Sequence, residues 1–226
     1  MRRTILVPLA AAALAALTIG LAAATAGTGG NGSMTMSHSG HATSSRSALT
    51  AADLRVTLDR LLGEHAVLAM NATNLGITGS KAFPAAEKAL DHNSVEISQA
   101  IGSIYGPKAA KMFLDGPFQW RAHVGFFVDY TVALAKKDKA AQARAVANLK
   151  TYTVRHGDFL AAATGLPKLA VRNDLLGHVL ELKQQLDDYA AGRYARAADD
   201  YRHAYAHMFM TGDLLAGAIA KQKNLR

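Results

Sequence analysis

The chain has 226 residues, 50% of them hydrophobic, no cysteine and a formal net charge of +8 at pH 7. This length gives room for one domain of ordinary size, and the lack of cysteine excludes disulfides, thiolate metal sites and cysteine nucleophiles. The basic residues are scattered and do not form a patch with aromatic residues, so we expect no nucleic-acid binding. Abundant alanine and leucine favour helices over strands.

Residues 1–26 have the pattern of a secretory signal peptide. Two arginines follow Met1, an apolar run covers 5–23, and small residues occupy the −3 and −1 positions before a cleavage site after Ala26. We therefore predict a secreted or extracytoplasmic protein. The alternative is an uncleaved leader that anchors the protein in the membrane, because the apolar run approaches spanning length.

Residues 27–49 are rich in Gly, Ser and Thr and poor in bulky side chains, which is typical of a disordered linker. Within eight residues this linker carries two thioethers and two imidazoles, at Met34, Met36, His38 and His41. Such soft ligands on a flexible segment suit a copper ion, because the segment can wrap around the ion without a preformed cage. The alternative is an ordinary polar tail without a ligand.

From Thr50 the pattern becomes helical and stays so, which defines the predicted domain as 50–222. Thr50 followed by Asp53 is typical of a helix N-cap with an acidic first turn. Prolines and glycines divide the remaining pattern into helical segments. We predict an all-α, six-helix bundle with helices at about 50–75, 84–104, 117–137 (with a short turn from 107), 139–163, 168–191 and 194–222.

Three histidines mark an internal repeat. His65, His123 and His178 are separated by 58 and 55 residues, and a loop follows each of them after 14 residues. Periods near 55 residues are typical of αα-hairpins that stack to bury a shared core. The six helices are therefore predicted to form three hairpin repeats.

The three repeated histidines lie in apolar stripes, so we expect them to point inward. A buried imidazole without a partner costs about 1–3 kcal/mol. One possibility is that His65, His123 and His178 meet in an internal metal site, together with His156 or His207. The other is that each ring bonds a carbonyl or hydroxyl group of an adjacent helix and only fixes the packing.

The last predicted helix offers a second candidate site. His203, His207 and Met210 follow at i, i+4 and i+7, so they share one face of this helix. Imidazole and thioether groups one turn apart can converge on a soft metal ion. The alternative is that this face packs against a neighbouring helix, since the helix is apolar on two sides.

Common catalytic motifs are missing from the sequence. It contains no Gly-rich phosphate loop, no Gly-x-Ser-x-Gly turn and no His-Glu-x-x-His zinc motif. The paired Glu-x-x-His motifs of di-iron proteins are not reproduced either. These absences favour a protein that is not an enzyme, although they leave an unfamiliar active site open.

Four short segments carry a resemblance: Leu61 to His65, Asn93 to Gly106, Arg121 to Val124, and Ala206 to Met210 with Asp213. Through them the chain resembles a poorly characterised bacterial family of all-helical repeat proteins over most of 54–222. The resemblance implies the helical fold and no established activity. Some similar proteins carry an acetylglutamate-kinase label, which this sequence does not support, because the phosphate-binding glycines and α/β alternation of such kinases are missing.

These patterns lead to one preferred hypothesis about function. We expect an exported helical protein that binds a metal ion, copper in preference to other metals, in the extracytoplasmic space. The cell envelope is a candidate partner there. The main alternative is a non-enzymatic structural or interaction module in which the histidines only support packing. A third hypothesis is a pH-sensing bundle, because nine histidines titrate near pH 6.5.

Overall fold

The computed structural model describes residues 49–226 and shows an all-α fold in that part of the chain. The predicted leader and the linker residues Met34, Met36, His38 and His41 lie outside the described residues. Seven helices occupy the described part. They are α1 (Ala51–Ile77), α2 (Phe83–Tyr105), α3 (Pro107–Leu114), α4 (Trp120–Ala135), α5 (Lys139–Thr164), α6 (Lys168–Ala190) and α7 (Tyr194–Lys223).

Local sequence signals account for where several helices begin and end. Thr50 accepts a hydrogen bond from the Asp53 backbone N–H at 3.0 Å, and Asp53 accepts one in return from the Thr50 backbone N–H at 3.2 Å, which closes a capping box before α1. Asp138 caps α5 through the Ala141 N–H. Gly165 adopts the left-handed conformation that commonly ends a helix, with φ +76°.

The segment between α2 and α4 differs from the prediction. The expected short turn from residue 107 is a separate eight-residue helix, α3, and α4 begins at Trp120 rather than at residue 117. Gly116 has φ +147°, and an extended Gln119 precedes α4. Pro117 was the predicted helix start, because proline favours the first helical turn. Here the proline belongs to the connecting turn instead.

Long helices pack on their neighbours in the chain: α1 on α2, α4 on α5, α5 on α6, and α6 on α7. Helix α1 also packs on α4, α6 and α7, so it lies at the centre of the arrangement. The three repeated histidines lie on α1 (His65), α4 (His123) and α6 (His178). The threefold sequence repeat itself stays a prediction. In residues 49–226, no helix combines the length and the apolar character that crossing a membrane requires.

Candidate metal centre

His65 on α1, His123 on α4 and His178 on α6 converge in the core. Each ring contributes one nitrogen, and these three nitrogens all lie within 4.8 Å of one another. The three residues are only 1%, 1% and 3% exposed. Nε2 of His65 and Nε2 of His123 are 3.4 Å apart. We call these residues the three-imidazole centre; its donor atoms could hold a metal ion.

The surroundings of His123 fix which of its nitrogens faces the centre. Its Nδ1 donates a short hydrogen bond to the Trp120 carbonyl oxygen, one turn earlier on α4. A neutral imidazole has one N–H, so Nε2 of His123 carries a bare lone pair toward His65. A second hydrogen bond of this kind is how proteins orient metal-ligating histidines.

The Asn93 side chain is a candidate to orient the His65 ring, as the Trp120 carbonyl oxygen orients the His123 ring. Its Nδ1 and the Oδ1 of Asn93 are both buried without a partner of normal geometry. The Asn93 amide nitrogen is already used, because it donates to the Leu61 carbonyl at 3.0 Å and lies 3.4 Å from Glu64 Oε2. Asn93 lies beside this ring, since its side chain raises the pKa of His65. When Nδ1 of His65 carries the proton, Nε2 has a lone pair for an ion.

His178 is the least satisfied of the three rings. It is buried, and neither Nδ1 nor Nε2 has a hydrogen-bond partner. A small cavity of about 20 Å³ adjoins it, lined by Met208 and Thr211 among mainly apolar side chains. This volume is large enough for one water-sized group. Because an unpartnered buried polar group is costly, the ring is expected to have a ligand.

Burial keeps the centre uncharged. Desolvation, followed by the neighbouring His123, lowers the pKa of His65 to about 3, and the Asn93 side chain partly opposes this shift. Burial and the adjacent histidines hold the pKa of His123 and of His178 well below the usual 6.5. Neutral imidazole is the form that binds a metal ion, so all three rings are in the ligand form at neutral pH.

Aromatic rings enclose the centre on the side of α4 and α5. The Trp120 ring lies 4.9 Å from His65 and 4.8 Å from His123 between centroids. Tyr152 stacks on His123 at 4.5 Å, and His156 stacks on Tyr152 at 5.1 Å. His156 is buried outside the centre, and its Nδ1 pairs with Gln119 Oε1 at 2.6 Å. Burial lowers the pKa of His156 to about 3.

The predicted His203, His207 and Met210 group looks different in the structure. His203 is exposed and Met210 is 61% exposed, so neither residue reaches the three-imidazole centre. His207 is buried, but its Nδ1 lies 2.8 Å from Glu181 Oε2 and its Nε2 lies 3.3 Å from Asp174 Oδ1. Both ring nitrogens of His207 therefore have partners on α6, and neither is free for an ion held by α7 alone.

We call His207, Asp174 and Glu181 the carboxylate mouth. The two carboxylates raise the pKa of His207, first through the Asp174 hydrogen bond and further through the charge of Glu181. The His207 and His178 rings are 6.3 Å apart between centroids. The mouth, with its two carboxylates, thus stands next to the uncharged centre.

Sequence patterns could have identified the mouth more directly. Asp174 precedes His178 by four residues on α6 and Glu181 follows it by three, so all three share one face of this helix. By contrast, the carbonyl oxygen of Trp120 gives no sequence signal, because every residue offers one.

No family model, curated protein or solved structure matches the chain.

Proposed function

We propose that the protein binds one copper ion between His65, His123 and His178. The observation that carries this proposal is His178, a buried imidazole with two unpartnered nitrogens beside two other neutral imidazoles. Hydrogen bonding explains the orientation of His123, but nothing in the described residues explains His178. An ion bound by all three rings would give His178 the partner that it lacks.

The charge of the cage favours Cu(I) over a divalent ion. Among the described residues, no Asp, Glu or further His shares the close grouping of ligand atoms, so the cage brings no negative charge of its own. The cost of burying an ion rises with the square of its charge, and a monovalent ion is therefore favoured in such surroundings. Structural Zn²⁺ sites are almost always four-coordinate, so three imidazoles alone would leave Zn²⁺ one ligand short.

Two further features agree with copper. Met208 lines the cavity next to His178, which places a thioether-bearing residue near the centre. Thioethers are soft ligands that favour Cu(I). The predicted linker adds Met34, Met36, His38 and His41, which would capture copper before it reaches the domain.

We also propose that the protein works outside the cytoplasm. This proposal rests on the pattern of residues 1–26 alone, and it places the linker ligands and the bundle in the same compartment. N-terminal sequencing of the protein from its native envelope checks it: a chain beginning at Gly27 supports cleavage and export, whereas an intact Met1 contradicts cleavage.

The decisive test is a competition titration of the domain with Cu(I), Cu(II) and Zn²⁺ against chelators of known affinity. We expect one tight Cu(I) site, and we expect His178→Ala to weaken it by roughly 100-fold or more, since even residues that only orient a ligand contribute about 10–100-fold. The matched control is His203→Ala, which removes an exposed imidazole and leaves the affinity unchanged.

The structural alternative predicts different results from the same samples. If the histidines only support packing, the wild-type domain and His178→Ala have the same weak affinity, and copper leaves the melting temperature unchanged. An ion bound only by the folded state raises that temperature. Equal affinities for these two proteins would therefore rule out the copper proposal.

A further inference from the structure

The carboxylate mouth lies between the solvent and the three-imidazole centre. The Glu181 side chain is 37% exposed, Asp174 17% and His207 11%. The next ring inward is His178, which is 3% exposed. Exposure thus falls step by step from the protein surface to the first ligand of the proposed site.

Successive rings continue this line into the core. The centroids of His207 and His178 are 6.3 Å apart, and those of His178 and His65 are 6.0 Å apart. Apolar side chains such as Leu58, Leu62 and Leu175 line the cavity beside His178. A cation that approached through those side chains would lose its hydration without gaining a ligand, which is expensive.

Helix α6 is shaped to let His207 lie close to it. A Cβ atom on Gly177 would come within 2.8 Å of Cε1 of His207, so the ring occupies space that any other residue would fill. Gly177 immediately precedes His178. The Asp174 carboxylate also accepts a hydrogen bond from Thr211 Oγ1 at 2.9 Å, which holds its second oxygen in place.

We propose that the carboxylates of Asp174 and Glu181, with His207 held between them, form a second, weaker cation site that captures the incoming metal ion and passes it to His178. This inference rests on the proposed copper function and adds the route by which the ion arrives. The mouth offers an ion carboxylate oxygens, because both nitrogens of His207 already have partners, whereas the centre offers imidazoles alone.

The difference in ligand type gives the transfer its direction. Carboxylate oxygens attract a cation through their charge and raise the rate of encounter. They are hard ligands that hold Cu(I) only weakly, so the ion is free to move on to softer imidazole nitrogens. The unpartnered nitrogens of His178, buried one ring further in, are the acceptor for this step.

Loading kinetics test the proposal, and the protein contains its own probe. Trp120 is the only tryptophan in the chain and lies within 4.9 Å of two rings of the centre. Copper binding is therefore expected to quench its fluorescence. We would mix the metal-free domain with Cu(I) in acetonitrile-containing buffer in a stopped-flow instrument and compare wild type with Asp174→Asn/Glu181→Gln.

We expect this double variant to load roughly tenfold or more slowly, within the range found for electrostatic steering. Its equilibrium affinity should stay within about twofold of wild type, because losing a route raises the barrier for uptake and release alike and leaves the bound state unchanged. The matched control is Glu87→Gln/Asp129→Asn, which removes the same formal charge on α2 and α4 and should load at the wild-type rate. Added salt should slow wild type more than the double variant.

Three results would overturn the proposal. Wild-type loading rates in the double variant would show that the mouth is only an ion pair between α6 and α7. A loss of affinity as large as the loss of rate would make the carboxylates part of the binding site itself. If wild type binds no Cu(I), the proposed copper function is wrong, and the capture site is overturned with it. The single variant Glu181→Gln, at the most exposed position, repeats the comparison should the double variant unfold.

Discussion

The three-imidazole centre and the carboxylate mouth stand next to each other on α6, yet their histidines have opposite properties. His65, His123 and His178 are buried among apolar and aromatic groups, and their pKa values are lowered. His207 lies between Asp174 and Glu181, and its pKa is raised. The same side chain is thus a neutral ligand in one region and a partner for carboxylates in the other.

This difference shows that neighbours, rather than the histidine itself, decide its role. Desolvation penalises the imidazolium form when no anion is near, whereas a carboxylate within hydrogen-bond distance favours it. The two regions are only one ring apart, at 6.3 Å. A single carboxylate placed in the centre, or removed from the mouth, would therefore change how the region binds both protons and metal ions.

The largest expected effect is an acid-induced loss of stability in the metal-free domain. His65, His123, His156 and His178 stay neutral in the folded state but become protonated near pH 6.5 when unfolded. Their stabilisation is complete above pH 6.5 and is lost as the pH falls below it. From pH 7.5 to 5.5 each of the four contributes a loss of about 1.4 kcal/mol, which gives about 5.5 kcal/mol together.

Denaturant unfolding at several pH values measures this loss. His207 acts with the opposite sign because its folded pKa is raised, so the observed change should be somewhat smaller. Replacing one buried ring, in His178→Leu, should reduce the change between the two pH values by about one histidine's share, 1.4 kcal/mol. A free energy of unfolding that is flat between pH 7.5 and 5.5 would contradict the assigned neutral state.

A smaller effect of the opposite pH dependence is expected in the mouth. His207→Gln removes a cation from between two carboxylates, and hydrogen bonds to charged groups contribute about 1.5–3 kcal/mol. Because the folded pKa of His207 is raised, its contribution is complete below pH 6.5 and is lost as the pH rises through the folded pKa.

Unfolding experiments at pH 6 and pH 8 should therefore show a larger destabilisation by His207→Gln at pH 6. His203→Gln serves as the control on the same helix, since an exposed substitution usually stays within about 0.5 kcal/mol. An equal cost at both pH values would mean that His207 does not carry a charge in the mouth.

Sequence alone already predicts the order and the approximate bounds of the long helices. Capping residues, prolines and glycines are local signals, and the structure places α1 at Ala51–Ile77 where 50–75 was predicted. The start of α4 was predicted three residues early, because Pro117 fits a first helical turn as well as a connecting turn. Local patterns cannot distinguish these two uses of proline.

The inward orientation of the three repeated histidines could also be predicted, and their burial confirms it. Apolar stripes decide which face of a helix is buried, so His65, His123 and His178 follow from periodicity. The partners of His207 did not follow, because they depend on how α6 crosses α7. Spacing along α7 suggested His203 and Met210 as its companions, but those side chains face the solvent.

The smallest expected effect concerns how closely the two regions approach. Alanine in place of glycine inside a helix usually stabilises a protein by about 0.5–1 kcal/mol. Gly217→Ala should show this gain, because a Cβ there meets nothing within 4 Å. Gly177→Ala should not, because its Cβ would press on a His207 ring that two carboxylates hold in place.

Thermal unfolding of both glycine variants, with wild type as reference, measures the difference. A gain at Gly177 equal to that at Gly217 would show that His207 moves aside freely. The mouth would then lack the fixed geometry that passing an ion to His178 requires.

The most direct test of the account is anomalous diffraction at the copper edge from crystals of the domain loaded with one equivalent of Cu(I). The account predicts a single anomalous peak within bonding distance of one nitrogen each from His65, His123 and His178. A peak elsewhere on the domain, with these three rings unchanged and without a bound ion, would contradict it.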